Sequence, residues 1–426
     1  MLKLMQMFSA ATEITFSVAN ALESSMKLIS HFTYPLAISL LLLFASITNQ
    51  AAAAPPSKGS SSPVRFSLQL VPLPSAGNVR DVNDFRDVVG HFPITDSYNG
   101  MSYSVNHAFI SSPDTDPTGI WDMHVLVANQ IESQFGSGWY LRSLTKINNA
   151  GHAVGYVGQY GSDIYSVQRA CVIYNATTSP TVLALPDQST EGDTSWKTTE
   201  GVSINEDGLI IVSFQTMADE YGAYVVEPSI GLTPWVLPLP PLLDNQVSMN
   251  NSLQGRPAQI AGQLKTGEAF VYTVGAPTPV TYSALSYYAN ENYIVRGLND
   301  AGTFCGRRTV KNSHQAYRYD GSLLAVSAGN GAAGINSKND MVIWASPRLY
   351  HAGAAATAPV LMNLSDLIVG NARDVSEWKG GVPFTVALTE RGAWNAGAVA
   401  VDYPGVAGHL SSSNGRWIFL LTPVKP

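Results

Sequence analysis

The sequence predicts an all-β fold, a β-propeller of seven blades with four antiparallel strands each. Three observations carry that expectation: a short phrase that recurs down the chain, the spacing of its copies, and the composition. The phrase reads Val82-Asn83-Asp84-Phe85-Arg86-Asp87-Val88-Val89-Gly90, then Ile147-Asn148-Asn149-Ala150-Gly151-His152-Ala153-Val154-Gly155. It returns as Ile204-Asn205-Glu206-Asp207-Gly208 and as Leu298-Asn299-Asp300-Ala301-Gly302. Weaker copies start at Met249-Asn250 and Ile335-Asn336, and a decayed one runs Leu388-Thr389-Glu390-Arg391-Gly392. The turn residue recurs about every 50 residues, the size of a propeller blade. The composition has 36 Gly, 25 Pro and only 13% charged residues, as many short strands joined by tight turns require. Because the last two copies are degraded, six or eight blades stay open.

Each phrase has a local reading. An apolar residue ends a strand, Asn opens a type I turn, and Gly three residues on supplies the left-handed conformation. Gly151, Gly208 and Gly302 hold that place. A second phrase follows, a small residue and then an apolar run: Asn106-His107-Ala108-Phe109-Ile110, Arg169-Ala170-Cys171-Val172-Ile173, Gly222-Ala223-Tyr224, Glu268-Ala269-Phe270 and Gln315-Ala316-Tyr317. Together the two phrases supply two hairpins per unit. A sheet of that size cannot bury both faces alone, so such sheets stack radially. No long stretch after residue 55 shows sustained helical periodicity with caps, in keeping with an all-β domain.

The ends are read in chain order. Residues 36–47 are almost wholly apolar, and small residues follow at Ala51 and Ala53. Residues 1–54 read as a secretory signal peptide, with Met26 an alternative start ahead of Lys27. The apolar run is shorter than the roughly 20 residues that span a bilayer, so no stable membrane span is expected after cleavage. Residues 55–63, rich in Ser, Gly and Pro, form a flexible leader. Residues 64–426 then form one propeller domain, secreted or periplasmic. The alternating Val64-Arg65-Phe66-Ser67-Leu68-Gln69-Leu70 and the closing Trp417-Ile418-Phe419-Leu420-Leu421 are both strand-like. They are expected to share the last blade, which leaves no open edge at the chain ends.

Pairing Ile-Asn-x-x-Gly-x-Val-Val-Gly with a later His-Ala-Phe, the chain resembles the HAF family of probable extracellular repeat proteins. The ending Phe419-Leu420-Leu421-Thr422-Pro423-Val424 is similar to the usual ending of that family. The resemblance covers about residues 75–426, with the literal triplet only at His107-Ala108-Phe109. It implies secretion and a propeller-like fold. It names no activity and carries over no catalytic residue.

The functional residues are less legible. The formal net charge is −7 and basic residues do not cluster beyond Arg307, Arg308 and Lys311, which argues against nucleic acid. The sequence shows no G-x-S-x-G, P-loop, H-E-x-x-H or dinucleotide motif and implies no cofactor. Titratable residues concentrate in the first two units: His107, His124, His152, Tyr140, Tyr156, Tyr165 and Arg169. His107, His124, Tyr165 and Arg169 are the catalytic candidates for a polysaccharide lyase, with His and Tyr moving protons and Arg holding a uronate carboxylate. Against this, the slot of His107 holds Arg169, Gly222, Glu268 and Gln315 in other units, which predicts a variable strand-edge or surface position. Trp121, Trp139, Trp196 and Trp378 are candidates for stacking on a sugar or a protein partner; Trp394 and Trp417 read as core. Asp114 and Asp116 are weak calcium candidates, since the loop lacks the alternating oxygens and bidentate Glu of a calcium site. Cys171 and Cys305 read as separate buried thiols. The leading expectation is a binding or surface-scaffolding protein, with a polysaccharide or a cell-surface protein as partner. The alternative is a lyase acting on an acidic polysaccharide.

Overall fold

The computed structural model describes residues 64–424, except 75, 117–118, 162–166, 187–195, 229–230, 238, 253–254, 288–290, 327–329, 345–346, 354–358 and 391–402. Residues 1–63, where a signal peptide and leader are expected, Trp394 and Tyr165 lie outside the described residues. The fold is a seven-bladed β-propeller. The first blade runs Asn78–Val82, Val88–Tyr98, Met101–Ser111 and Trp121–Asp122, from the channel outward. The second runs Trp139–Ile147, Ala153–Gln159, Gln168–Tyr174 and Thr181–Ala184, and the next four repeat this order. The seventh blade takes Val382–Leu388, Val406–Ser412 and Gly415–Val424 from the end of the chain and Arg65–Leu73 from its start. Those last two strands pair antiparallel from Arg65 with Val424 to Leu73 with Arg416. Ile368–Val369 adds a short parallel edge beyond them.

The core is divided among the blades. Seven apolar clusters each lie between two neighbouring sheets. One joins Val89, Ile110, Leu144 and Cys171 of the first two blades. Another joins Val71, Leu73, Ala407 and Ile418 of the seventh to Val79 and Val88 of the first. The second repeated phrase supplies this packing: Ala108, Ala170, Ala223, Ala269 and Ala316 are buried, as are Phe109, Tyr224, Phe270 and Tyr317. The glycine that ends the first phrase sits opposite that aromatic, as Gly90 does opposite Phe109 and Gly306 opposite Tyr317. A Cβ at Gly306 would lie 1.8 Å from the Ile294 carbonyl oxygen and 3.0 Å from the Tyr317 ring. The bulge that turns this carbonyl inward recurs in the innermost strands, at Val79/Asp81, Gly201/Ser203 and Val295/Gly297.

The Asn of each turn does more than open the turn. Its Oδ1 accepts backbone N–H groups of its own turn: His152 for Asn148, Leu209 for Asn205, Thr303 for Asn299 and Asp340 for Asn336, each at 2.9 Å. Its Nδ2 crosses to the next blade. Asn83 donates to the Asn148 carbonyl at 3.1 Å, Asn148 to Asn205 at 3.0 Å and Asn205 to Asn250 at 3.2 Å. Asn250 donates to Asn299 at 2.9 Å, Asn299 to Asn336 at 2.9 Å and Asn336 to Thr389 at 3.2 Å. All six amides are at most 5% exposed. A second belt runs beside the first. The Asp84 amide donates to Asn149 Oδ1, Asn149 to Glu206, Glu206 to Asn251 Oδ1 and Asn251 to Asp300. At the seam Thr389 lacks the amide, and the Glu390 N–H closes onto Asp84 Oδ1 at 3.1 Å.

Among the described residues two short α-helices lie between the strands. Helix α1, Met123–Phe135, is capped by Asp122, whose side chain accepts from the Val125 amide. It buries Met123, Val127 and Ile131, spaced four apart on one face, against the first two blades. Its Gln130 bonds Pro180 O and Val182 N–H, which covers the outer edge of the second blade. Helix α2, Ala372–Gly380, is capped by Asn371 and buries Trp378. At 13 and 9 residues both are too short to set a long helical pattern in a β-rich chain.

Gly151, Gly208 and Gly302 have φ of 74°, 82° and 80°, and Arg86 (68°) and Asn339 (64°) hold the same place in other turns. Gly302→Val should lower stability by about 1–3 kcal/mol, the cost of a sparsely populated backbone state. Asn299→Ala should cost at least as much, because it orphans buried amides in its own turn and a carbonyl in the next. Denaturant midpoints at unchanged slope check both.

Candidate functional site

Two polar features occupy the side of the ring where the innermost strands begin, away from the Asn belts. The first is the mouth of a central channel of about 1220 Å³. Arg80, Arg296, Arg307 and Arg416 line it, with Tyr156, Glu200, Asn245, Trp344 and His409. Arg142 lies beside them, its guanidinium 6.0 Å from the Tyr156 ring centroid. Burial, opposed by Asp244 and reinforced by Arg307, lowers the Arg296 pKa. Burial, then the charges of Arg80 and Arg142, hold His91 at about 4. Burial, then Arg416 and Arg80, hold His409 at about 4. The fixed acids here are fewer. Burial raises the pKa of Glu200 although Asn245 donates to it at 2.9 Å. The opposite end carries the belt acids Asp84, Glu206, Asp300 and Glu390. The channel is thus cationic at one end and acidic at the other.

The second feature rests on the long first-blade hairpin. Its strands Val88–Tyr98 and Met101–Ser111 have 11 residues each, against 5 in the innermost strand of that blade. The hairpin carries Asp96 and His107 past the ring, to meet His124 of α1 and Tyr140 and Tyr160 of the second blade. His107 Nδ1 is 2.8 Å from Asp122 Oδ2, and its Nε2 is 3.3 Å from Asp96 Oδ2. Tyr160 donates a short bond to Asp96. The His107 and His124 rings meet edge-on at 4.5 Å. His124 Nδ1 accepts the Leu141 N–H at 3.2 Å, so the neutral ring carries its proton on Nε2, 3.5 Å from Tyr160 Oη. Burial, then the charge of His107, brings His124 to about 4. Burial works to raise Asp96, but the Tyr160 bond, the Ser97 amide and the two imidazoles outweigh it and leave its pKa lowered. Burial and then Asp96 drive the Tyr160 phenol well up. Tyr98 stacks on Tyr160 at 5.0 Å and Tyr103 lies 5.6 Å from it, a half-exposed aromatic shelf beside the cluster.

Of the sequence candidates, His107 and His124 are brought together. His107 corrects the expectation of a surface slot: it is 2% exposed, while Arg169, Gly222, Glu268 and Gln315 in the equivalent slots are half-buried. The difference lies in the hairpin extension and in α1, which roof this one copy. Arg169 instead bonds the Gln168 and Lys197 carbonyls at the seam with the third blade. His152 sits on the belt side, edge-on to Tyr174 at 4.9 Å. Trp378 is 3% exposed, packed on Phe419 at 5.1 Å and bonded to Ser365, so it is core and not a docking aromatic. Trp121 and Trp139 are partly buried against the first core cluster, and Trp196 starts the innermost strand of the third blade. Trp417 is half-buried under Arg373. Trp344, 50% exposed at the channel mouth, was missed. Asp114 is salt-bridged to Arg86 at 2.9 Å. Asp96, His107 and His124 are the group of metal-capable side chains found among the described residues, their ligand atoms within 4.8 Å of one another. Neither Asp114 nor Asp116 belongs to it. Cys171 and Cys305 are separate buried thiols that burial pushes up to about 12.

No family model and no curated protein matches the chain. Solved structures do. A sialidase of Trypanosoma rangeli aligns at TM-score 0.38 and 10% identity over 87% of this chain. A Hadza microbial sialidase aligns at 0.40 and 10% over 82%. The β-propeller domain of the Trilobed protease from Pyrococcus furiosus aligns at 0.43 and 10% over 82% of this chain and 97% of its own. The chain spans 57% and 65% of the two sialidases. No helix among the described residues is long and apolar enough to cross a membrane.

His409 gives this site a pH signature. A folded value of about 4 against the ordinary 6.5 means that the unfolded chain takes the proton first as pH falls. The His409 contribution to stability is therefore present above about 6.5 and is lost as pH drops toward about 4. His409→Phe keeps the ring stacked on Phe384 at 5.0 Å. Its melting temperature should fall less than that of the wild type between about pH 7 and about pH 4.5. Equal falls would show that the ring takes its proton within the fold.

Proposed function

We propose that the protein is an exported propeller of the HAF-like extracellular class that binds carboxylate-bearing carbohydrate at the mouth of its channel. One observation carries the reading: Arg80, Arg142, Arg296, Arg307 and Arg416 gather at that mouth in a chain of net charge −7. Guanidinium groups are weakly hydrated forks that match carboxylates in pairs, and a walled channel concentrates their field. Trp344 and Tyr156 add faces on which a sugar ring stacks. A cell-surface glycan and a secreted acidic polymer present the same chemistry, and a scaffolding role follows if the glycan is part of a wall or capsule.

The test is affinity of the purified protein for a polyuronate, a sulfated polysaccharide and a neutral glucan. Polyuronate should bind, and added salt should weaken it. Arg80→Gln and Arg307→Gln should each weaken it by about tenfold or more, while the fold is kept. Equal affinity for the neutral glucan, or no change in either variant, would contradict the reading.

The cluster around His107 favours a second reading, elimination catalysis on the same polymer. His107 is the imidazole there whose Nε2 keeps a lone pair when Nδ1–H is donated to Asp122. His124, whose Nδ1 is taken by Leu141, does not serve as a base in this state. Tyr160 is the proton donor beside them. This reading expects the ultraviolet absorbance of a conjugated unsaturated uronate to grow with time, and to vanish in Tyr160→Phe with binding retained. A polyuronate that binds without any such rise leaves the protein a binder.

A further inference from the structure

We infer that Asp96 and His107 form a site for one divalent transition-series cation of the zinc type, with Tyr160 and His124 around it. The inference is independent of carbohydrate binding at the channel mouth, and it excludes the elimination reading, because one Nε2 lone pair cannot be both ligand and base.

The geometry points there in three ways. First, His107 is 2% exposed, and its buried Nε2 makes no hydrogen bond. An imidazole nitrogen left without a partner in a dry site costs free energy unless a cation or proton meets it. Second, the other ring nitrogen is fixed: Nδ1 lies 2.8 Å from Asp122 Oδ2. Donation of Nδ1–H to a carboxylate is how metal-binding histidines are oriented, and it directs the Nε2 lone pair at the ion. Third, the separation fits. Two ligand atoms about 2.0–2.1 Å from a tetrahedral Zn²⁺ stand roughly 3.3–3.4 Å apart. His107 Nε2 and Asp96 Oδ2 are 3.3 Å apart.

A proton on Nε2 is the competing occupant. It would balance the charge of Asp96, but the 3.3 Å contact does not have the geometry of a hydrogen bond. The role of His124 follows from its tautomer. Its ring lies 4.5 Å from His107, but the Leu141 N–H occupies Nδ1 and leaves a proton on Nε2. It therefore faces the ion as a hydrogen-bond donor to a bound water or hydroxide, not as a ligand. Tyr160 Oη donates to Asp96 and lies 3.5 Å from His124 Nε2, so it orients the carboxylate and leaves the remaining positions at the ion to water. Asp96 is 29% exposed at its side chain, which leaves a path from solvent.

The experiment is to strip the purified protein with a chelator and titrate it with Zn²⁺ and with Co²⁺. Calorimetry and the visible Co²⁺ spectrum are read together. One equivalent should bind, with a spectrum of nitrogen and oxygen ligands and no thiolate band. Asp96→Asn and His107→Gln should each abolish it. Asp122→Asn, which removes only the orienting carboxylate, should weaken it by about 10–100-fold. His124→Gln and the remote His152→Gln should keep the one equivalent. If His107→Gln does not fold, Asp96→Asn, at the exposed side of the site, decides the matter. The inference is overturned if the folded wild type binds no ion, or if folded Asp96→Asn keeps it. Loss of the ion in His124→Gln with retention in Asp96→Asn overturns it as well.

Discussion

The structure depends on one interaction, the amide of a turn asparagine reaching from its own blade to the backbone of the next. A blade of four short strands has no stability of its own, and apolar packing between blades is not directional. The Asn side chain supplies direction. Its carbonyl oxygen fixes the turn and its NH₂ fixes the neighbour, so turn shape and blade angle are set by one group. Each bond adds only about 0.5–1.5 kcal/mol net, but leaving such a buried amide unmade costs more. That asymmetry explains an Asn at six of the seven turns better than the turn preference of Asn alone.

The belts also set where function can sit. At their end the channel is lined by groups committed to one another, and the acids Asp84, Glu206 and Glu390 already accept backbone amides. Burial, partly offset by those bonds and aided by Asp84, raises the pKa of Glu206 and Glu390. The strand-start end is free of that duty. There the innermost strands bring Arg80, Arg142 and Arg296 to the mouth, and the first hairpin can lengthen without disturbing the ring. Ring and site are thus separable: the belt tolerates little change, and the mouth and hairpin can be varied.

The ring was legible in the sequence because it depends on local chemistry repeated in register. Asn205 and Gly208 announce their turn, and Ala223-Tyr224 announces the strand that packs against both neighbouring blades. The shared last blade was legible in the alternation from Val64 to Leu70. The site was not legible to the same degree, since it joins residues that no repeat links. Asp96 and Asp122 look like ordinary strand-end and loop carboxylates until the hairpin and the cap of α1 bring them to the two sides of His107. Comparing repeats misled at His107, because equivalent slots share backbone position but not their roof. Trp378 misled likewise, since its Gly- and Ser-containing surroundings belong to a helix packed on Phe419 and not to an exposed loop.

The central claim is that the belt makes the seven blades open together. Native-state hydrogen exchange tests it most directly, on peptides that contain the amides of His152, Leu209, Thr303 and Asp340. These are the donors to belt Asn oxygens in four different blades. If the belt couples the blades, all four exchange only through global unfolding, with one free energy equal to that from denaturant. If one turn exchanges through a local opening of lower free energy while the others stay protected, the blades hold themselves separately and the account is wrong.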